Sequence, residues 1–428
     1  MVRVVREARI AILLLVAFVA AGSRANAQQA APPDPAAAAA SQPDAAALRA
    51  EIALLRQQLQ ALEQKVAALE GAGQAAPAPA PPPVTAPAPP AMPEPAPAPA
   101  AAAAPSSKVF NPDMAVIGNF VGAAGRNTVD PRPALSLDEA EVSLQAIVDP
   151  YARADFFLSG SPDGIEVEEG YLTFPTLPGG LLMKVGKMKA QFGKVNTQHP
   201  HVLPWVDEPL PMRNLLGGEE GLNDSGLSVS RLIPAGGLFL EATGEVYNGA
   251  NGVFTGQRRR DLTYVGRLRG YRDLSEGTNL DVGTSFAYGH NDAGPDARTR
   301  LYGVDATLRY RPLRRAIYKK FLARTELFWS KRDTAQAGER ADAFGAYLSG
   351  EYQFARRWFA GARYDWSDRA VDPTLRDKSG SVLLTYWPSE FSQIRGQVRR
   401  TSYAEGVDAN EVLFQFLFAI GAHGAHAF

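Results

Sequence analysis

The 428-residue sequence contains no cysteine, which excludes a disulfide scaffold, a thiolate metal site and a thiol nucleophile. Neither sign of charge is in surplus: 44 Lys and Arg stand against 45 Asp and Glu. A formal net charge of -1 offers no broad basic face to nucleic acid and no acidic face to basic partners. Long apolar runs are lacking too. The stretch AILLLVAFVAAG near the N-terminus has about twelve residues, short of the roughly 20 that a spanning helix needs. Histidine is scarce, at five residues. No G-x-S-x-G elbow, H-E-x-x-H or P-loop occurs, so neither an enzymatic reaction nor a cofactor is expected.

What is present falls into segments of different texture. Residues 1–27 read as a secretory signal peptide, with Arg3, Arg6 and Arg9 before the apolar core and an Ala25-Asn26-Ala27 cleavage site. The competing reading is an uncleaved membrane anchor. Residues 28–44 are expected to be disordered. In residues 45–70, Leu48, Ile52, Leu55, Leu59, Leu62, Val66 and Leu69 repeat at spacings of four and three. That seam predicts a self-associating coiled coil, since a helix lying on another domain would carry a wider apolar stripe. Residues 71–106 are rich in Ala and Pro with Glu94 as their one charge. They favour polyproline II, a semi-rigid spacer on the order of 100 Å long.

From residue 107 to 428 the period changes to two. Trp358, Ala360, Ala362, Tyr364 and Trp366 share one parity; Phe359, Gly361, Arg363, Asp365 and Ser367 share the other. Sixteen such segments can be marked, beginning near residues 113, 138, 151, 165, 181, 226, 237, 261, 279, 299, 320, 343, 358, 380, 392 and 411. Their links alternate between short turns and mostly longer polar stretches such as YNGANGVFTGQRRRD. This predicts an all-β fold, a transmembrane antiparallel barrel of about sixteen strands in a bacterial outer membrane, with both ends on the periplasmic side. A secreted β-sandwich or solenoid is the alternative. Against it, Trp358 and Trp366 lie roughly 20 Å apart in height on a tilted strand, as the two aromatic girdles of a barrel do. The opposite faces also carry charges that a packed core would not hold unpaired. Val412, Phe414, Phe416, Phe418, Ile420, Ala422 and the terminal Phe428 share parity, as an assembly signal at the end of a barrel would.

The segment LLMKVGKMKAQFGKVN, followed by HPHVLPWVDEPL and GGEEGLNDSGLSVSRLIP, resembles the phosphate-selective porin O and P family and related outer-membrane porins. The resemblance covers most of 108–428 and is densest in 181–234. It implies a sixteen-stranded barrel in outer-membrane lipid, usually a homotrimer, that passes small solutes passively.

Function is expected to reside in the lumen. Residues 194–226 form the longest irregular segment and hold Pro200, Pro204, Pro209 and Pro211. Its place as third outer loop, the one that folds into the lumen in the porins it resembles, makes it the candidate constriction, with His199, His201, Asp207, Glu208, Arg213, Glu219 and Glu220 as its polar groups. The alternative is a surface loop packed at the trimer contact. His199 and His201, with Asp207 and Glu208 behind them, have the spacing of a divalent-metal site; the preferred reading is two solvent-exposed imidazoles and no metal. On the polar parity of the strands lie Arg153, Arg267, Arg269, Arg309, Arg324, Arg363, Arg395 and Arg399. Against them stand Glu139, Glu141, Asp155, Glu241, Glu245, Asp281, Asp305, Glu326, Glu351 and Asp365. A phosphate filter needs a cationic surplus, and this tally has none. Arg363, Arg395, Arg267 and Arg309 are the expected cationic wall contacts; Asp207, Glu208, Glu219 and Glu220 are the expected acidic side of the constriction. The reading is a porin for small hydrophilic solutes or ions, phosphate or other anions among them. The alternative is a structural tether from outer membrane to peptidoglycan through the coiled coil.

Overall fold

The computed structural model describes residues 112–421 apart from residues 162, 163, 219 and 337. The signal peptide, coiled coil, spacer, His423, His426 and Phe428 therefore lie outside the described residues, as does Glu219.

The period-two segments form sixteen strands. They are β1 (Asp113–Arg126), β2 (Leu135–Asp149), β3 (Ala152–Ser161), β4 (Gly164–Leu177), β5 (Leu181–Lys189), β6 (Asn223–Ala235), β7 (Leu238–Tyr247) and β8 (Thr263–Ser275). There follow β9 (Thr278–His290), β10 (Arg298–Tyr310), β11 (Lys320–Asp333), β12 (Arg340–Ala355), β13 (Trp358–Asp368), β14 (Arg376–Ser389), β15 (Ser392–Ser402) and β16 (Asp408–Gly421). Each pairs antiparallel with its sequence neighbours. β1 closes the ring on β16, with Val116 opposite Ile420 and Phe120 opposite Phe416. Closure satisfies every strand edge within the sheet, the condition for a β-structure in hydrocarbon.

One rim carries tight links such as 150–151, 236–237 and 356–357; the other carries long ones, above all 190–222 and 248–262. Two links depart from the expected alternation. On the long-loop rim β3 ends at Ser161 and β4 begins at Gly164, which pair directly, and 311–319 are a longer link on the turn rim. The even strand number places the start of β1 and the end of β16 on the same, turn, rim.

Side chains alternate as the pleat demands. On β12, Leu348 is 60% exposed on the outer surface while its neighbour Tyr347, pointing inward, is 2% exposed. On β13, Tyr364 faces out, and Arg363 and Asp365 are buried inside. Outward aromatics gather at both rims. Near the long loops, Phe344 sits 5.2 Å from both Trp329 and Trp366, centroid to centroid; near the turns, Trp358 and Tyr386 are 4.6 Å apart. Indole and phenol rings at these two heights match the interfaces of a bilayer.

Two irregularities shape the interior. Asn119 pairs with Glu139 and Phe120 with Leu137, leaving Asp138 as an extra residue in β2. Phe157 pairs with Glu169 and Leu158 with Val167, so β4 carries an extra Glu168. A bulge breaks the period of two, and each of these turns two consecutive acids, Asp138-Glu139 and Glu168-Glu169, toward the lumen.

Candidate constriction in the lumen

Residues 190–222, here L3, leave the wall after β5 and fold into the bore. The sequence places the irregular segment at 194–226; the structure begins it four residues earlier and lets β6 start at Asn223. It also has local order, with 3-10 turns at Val195–Thr197 and Pro200–Val202 and a short helix α1 (Leu210–Leu215) opened by Pro209 and Pro211. The base of L3 is tied by Asn196. Its side-chain Nδ2 donates to the carbonyl of Ala190 at 2.9 Å, and its Oδ1 accepts from the amide of Leu222 at 2.8 Å. Gly193 takes a positive φ of 65°, and a Cβ there would collide with Glu326. The chain turns in at this point only because the residue has no side chain.

L3 docks in two ways. Along β8–β12 its Phe192, Val195, Leu203, Trp205, Met212, Leu215 and Leu216 join an apolar core with the inward residues Val265, Ala287, Leu301, Phe328 and Tyr347. Phe192 stacks on Phe328 at 5.8 Å and Trp205 meets Tyr347 edge-on at 5.4 Å. The other anchors are charged side chains. Asp207 Oδ2 lies 2.9 Å from Arg363 Nη2 and 2.8 Å from Arg399 Nη1. Arg395 donates to the carbonyls of Leu203 and Trp205, and Glu326 accepts the amides of Lys194 and Val195. Burial pushes the Asp207 carboxyl up, but Arg363, Arg399 and the more distant Arg132 outweigh it and hold the group well below the usual carboxylate range.

These contacts reassign several expected site residues. Arg363, Arg395 and Arg267 do not stand as free cationic wall groups. Arg363 bonds Asp207 and Asp365 and lies under Trp205, Arg395 holds L3 backbone, and Arg267 pairs with Asp305 at 2.8 Å. The reason is desolvation: once L3 covers the wall, a buried guanidinium must find carboxylates or carbonyls. Arg399 is shared between Asp207 and Glu411, and Arg324 donates to Gln198. Glu326 receives Tyr347 Oη at 2.7 Å. Arg153 pairs with Asp155, Arg269 with Asp281 and Glu241, and Arg213 with Asp130. Arg309 and Glu351 line a cavity on the turn side of L3.

The histidines correct the sequence reading most clearly. His199 and His201 are not solvent-exposed; they are 3% and 4% accessible. Nor do they gather with Asp207 and Glu208. His199 Nδ1 lies 2.8 Å from Glu141 and 3.1 Å from Glu168, and His201 Nδ1 lies 3.2 Å from Glu139. Burial disfavours charge on His199, but its contacts with Glu141, Glu168 and Glu169 prevail and hold its pKa well above the usual imidazole value.

Two cavities flank L3. The one toward the long loops, about 630 Å³, is lined by Asp138, Glu139, Glu166, Glu168, Asp207, Glu208 and Glu220, with Arg132 as the one cation among the described residues. The one toward the turns, about 1180 Å³, is lined by Arg309, Arg311, Lys320, Arg324, Arg356, Arg357 and Arg395 against Glu351 and Glu390. Leu203 lines both, so the stretch 198–208 of L3 lies between them. The pooled tally of lumen charges hid this sorting by height, because parity reports the face of a residue and not what the loop covers.

No protein-family model matches the sequence. A search of curated proteins finds an uncharacterized protein of Aquifex aeolicus (strain VF5), 32% identical over 387 residues, covering 76% of this chain and 81% of the relative. The chain belongs to the family of this Aquifex protein. In fold, the family member described here is similar to solved outer-membrane proteins. One is an anion-selective porin from Comamonas acidovorans, with TM-score 0.51 and 12% identity over 72% of this chain and 99% of that one. Another is the outer membrane channel DcaP of Acinetobacter baumannii, with TM-score 0.50 and 10% identity over 72% and 96%. A third is OprB of Pseudomonas putida, with TM-score 0.51 and 8% identity over 72% and 94%. The shared feature is the fold, a closed barrel of the outer-membrane porin type.

Proposed function

We propose that this protein is an outer-membrane porin, a passive channel for small hydrophilic solutes or ions with L3 as its constriction. The observation that carries the reading is a long loop folded into a barrel lumen between two polar cavities. Mapped onto a cell, the long-loop rim faces outward and the turn rim faces the periplasm. Outer-membrane lipid then contacts the outward apolar band, and the resembled porins suggest a homotrimer. A phosphate filter finds little support. It needs free cationic rings in the narrow part, whereas Arg363 and Arg399 are paired there with Asp207, Asp365 and Glu411 and the outer cavity is acidic. Diffusing solute would instead meet Glu208 and Glu220 on the outer side and Arg309 on the inner side.

The test is single-channel conductance of the purified protein in a planar bilayer under a salt gradient. Discrete conductance steps with a small reversal potential are expected. A strongly anion-selective potential blocked by phosphate would restore the phosphate reading, and silence would favour the tether. Removing residues 28–106 separates these further: a channel keeps its conductance, while a tether loses envelope integrity.

A further inference from the structure

The two buried histidines of L3 meet the wall where the bulges have turned acids inward. β2 contributes Glu139 and Glu141, the bulge of β4 contributes Glu168, and L3 brings His199 against them. One donor atom from each of these four lies within 4.8 Å of all the others, and all four residues are buried. Around an ion with bonds of roughly 2.0–2.2 Å, neighbouring ligand atoms stand about 3–4 Å apart. The donor atoms thus already stand within about 1–2 Å of the spacing that an ion requires.

Charge balance points the same way. Glu139, Glu141, Glu168 and Glu169 are all less than 10% exposed. Among their partners are Lys189, 3.1 Å from Glu168, and the imidazoles of His199 and His201. Buried carboxylates this close repel one another, and a divalent cation between them offsets that repulsion. Glu139 and Glu168 also line the acidic cavity on the long-loop side, which supplies a route of entry and attracts cations toward it.

We propose that Glu139, Glu141, Glu168 and His199 form a binding site for a divalent first-row transition-metal ion, reached from the acidic cavity. One imidazole with three carboxylates suits Mn2+ or Zn2+, and the absence of sulfur ligands disfavours soft ions. A metal here joins β2, β4 and L3. The site does not depend on the channel reading, since binding is read without conduction.

The experiment uses the full-length protein in detergent. Mn2+ is titrated and followed by the electron paramagnetic resonance of the free ion, and Zn2+ is titrated by calorimetry. One saturable site per chain is expected. Glu141→Gln and His199→Gln should each weaken it by about 10- to 100-fold or more, while Asp372→Asn, on a remote loop, leaves it unchanged. Heat-modifiable electrophoretic mobility confirms that each variant is folded. X-ray absorption of the Zn2+-loaded protein should show an imidazole in the coordination shell, which also decides the case if a variant does not fold. Absence of saturable binding by both ions, full affinity in both folded variants, or a shell of oxygen alone would overturn the proposal.

Discussion

Asp207 is the residue on which the docking of L3 turns. It is buried, and one oxygen is shared by guanidinium groups from two strands, Arg363 of β13 and Arg399 of β15. Removing one partner of such a group leaves buried charge uncompensated, at about 3–5 kcal/mol. Arg363→Met is therefore expected to release the middle of L3, seen as larger and noisier conductance steps and faster proteolysis within 190–222. Acid should act on the same contact in a defined direction. A carboxyl with a depressed folded pKa contributes fully above its ordinary value of about 3.9 and loses that contribution as pH falls through the folded value. Arg363, Arg399 and Arg132 lower the pKa of Asp207 against its burial; Asp365, also in contact with Arg363, competes for that guanidinium. Open-channel noise should thus stay level from neutral pH down to about pH 4 and rise below it, and Asp207→Asn should be noisy throughout.

Among the elements, α1 shows how a wall is cut to receive a loop. It buries Leu210, Pro211, Met212 and Leu215. Opposite it stands Gly345 of β12, where a Cβ would come within 3.0 Å of both Leu215 and Pro211. Gly345→Val is expected to push α1 off the wall at about 1–3 kcal/mol, the usual range for overpacking. A lower urea midpoint with an unchanged barrel circular dichroism spectrum would report it. The strands themselves are legible because lipid on one side and a polar bore on the other enforce a period of two, so Trp358 and Trp366 mark both girdles on one strand. The two bulges are not legible, since inserting Glu168 shifts the parity of everything beyond it, and Glu168 and Glu169 escape an alternating reading. The inward apolar residues Val265, Leu301, Phe328 and Tyr347 did carry a signal. They interrupt the polar parity on neighbouring strands, and L3 carries matching apolar residues.

For the whole molecule, the separation of charge across L3 is the property with a measurable consequence. Cations collect in the acidic cavity and anions in the basic one, so one sign of voltage drives both toward the constriction and the other drains it. Rectification of the current is expected at low ionic strength, with one polarity favoured in all oriented insertions. It should fade toward 1 M salt, where the Debye length falls to about 3 Å. A linear current–voltage curve in dilute salt would show that the two cavities do not act in series.

Taken alone, the sequence determined a barrel of about sixteen strands, turns alternating with mostly longer loops, and which face meets lipid. These follow from local periodicity and from the demand of a bilayer that every backbone group be paired. Only the tertiary structure decided what the lumen residues do. Whether Arg363 greets solute or grips Asp207, and whether His199 faces water or Glu141 and Glu168, depends on how L3 lies against strands more than a hundred residues away in places. Burial by that loop, which no local pattern encodes, sets the partner that each charge must find.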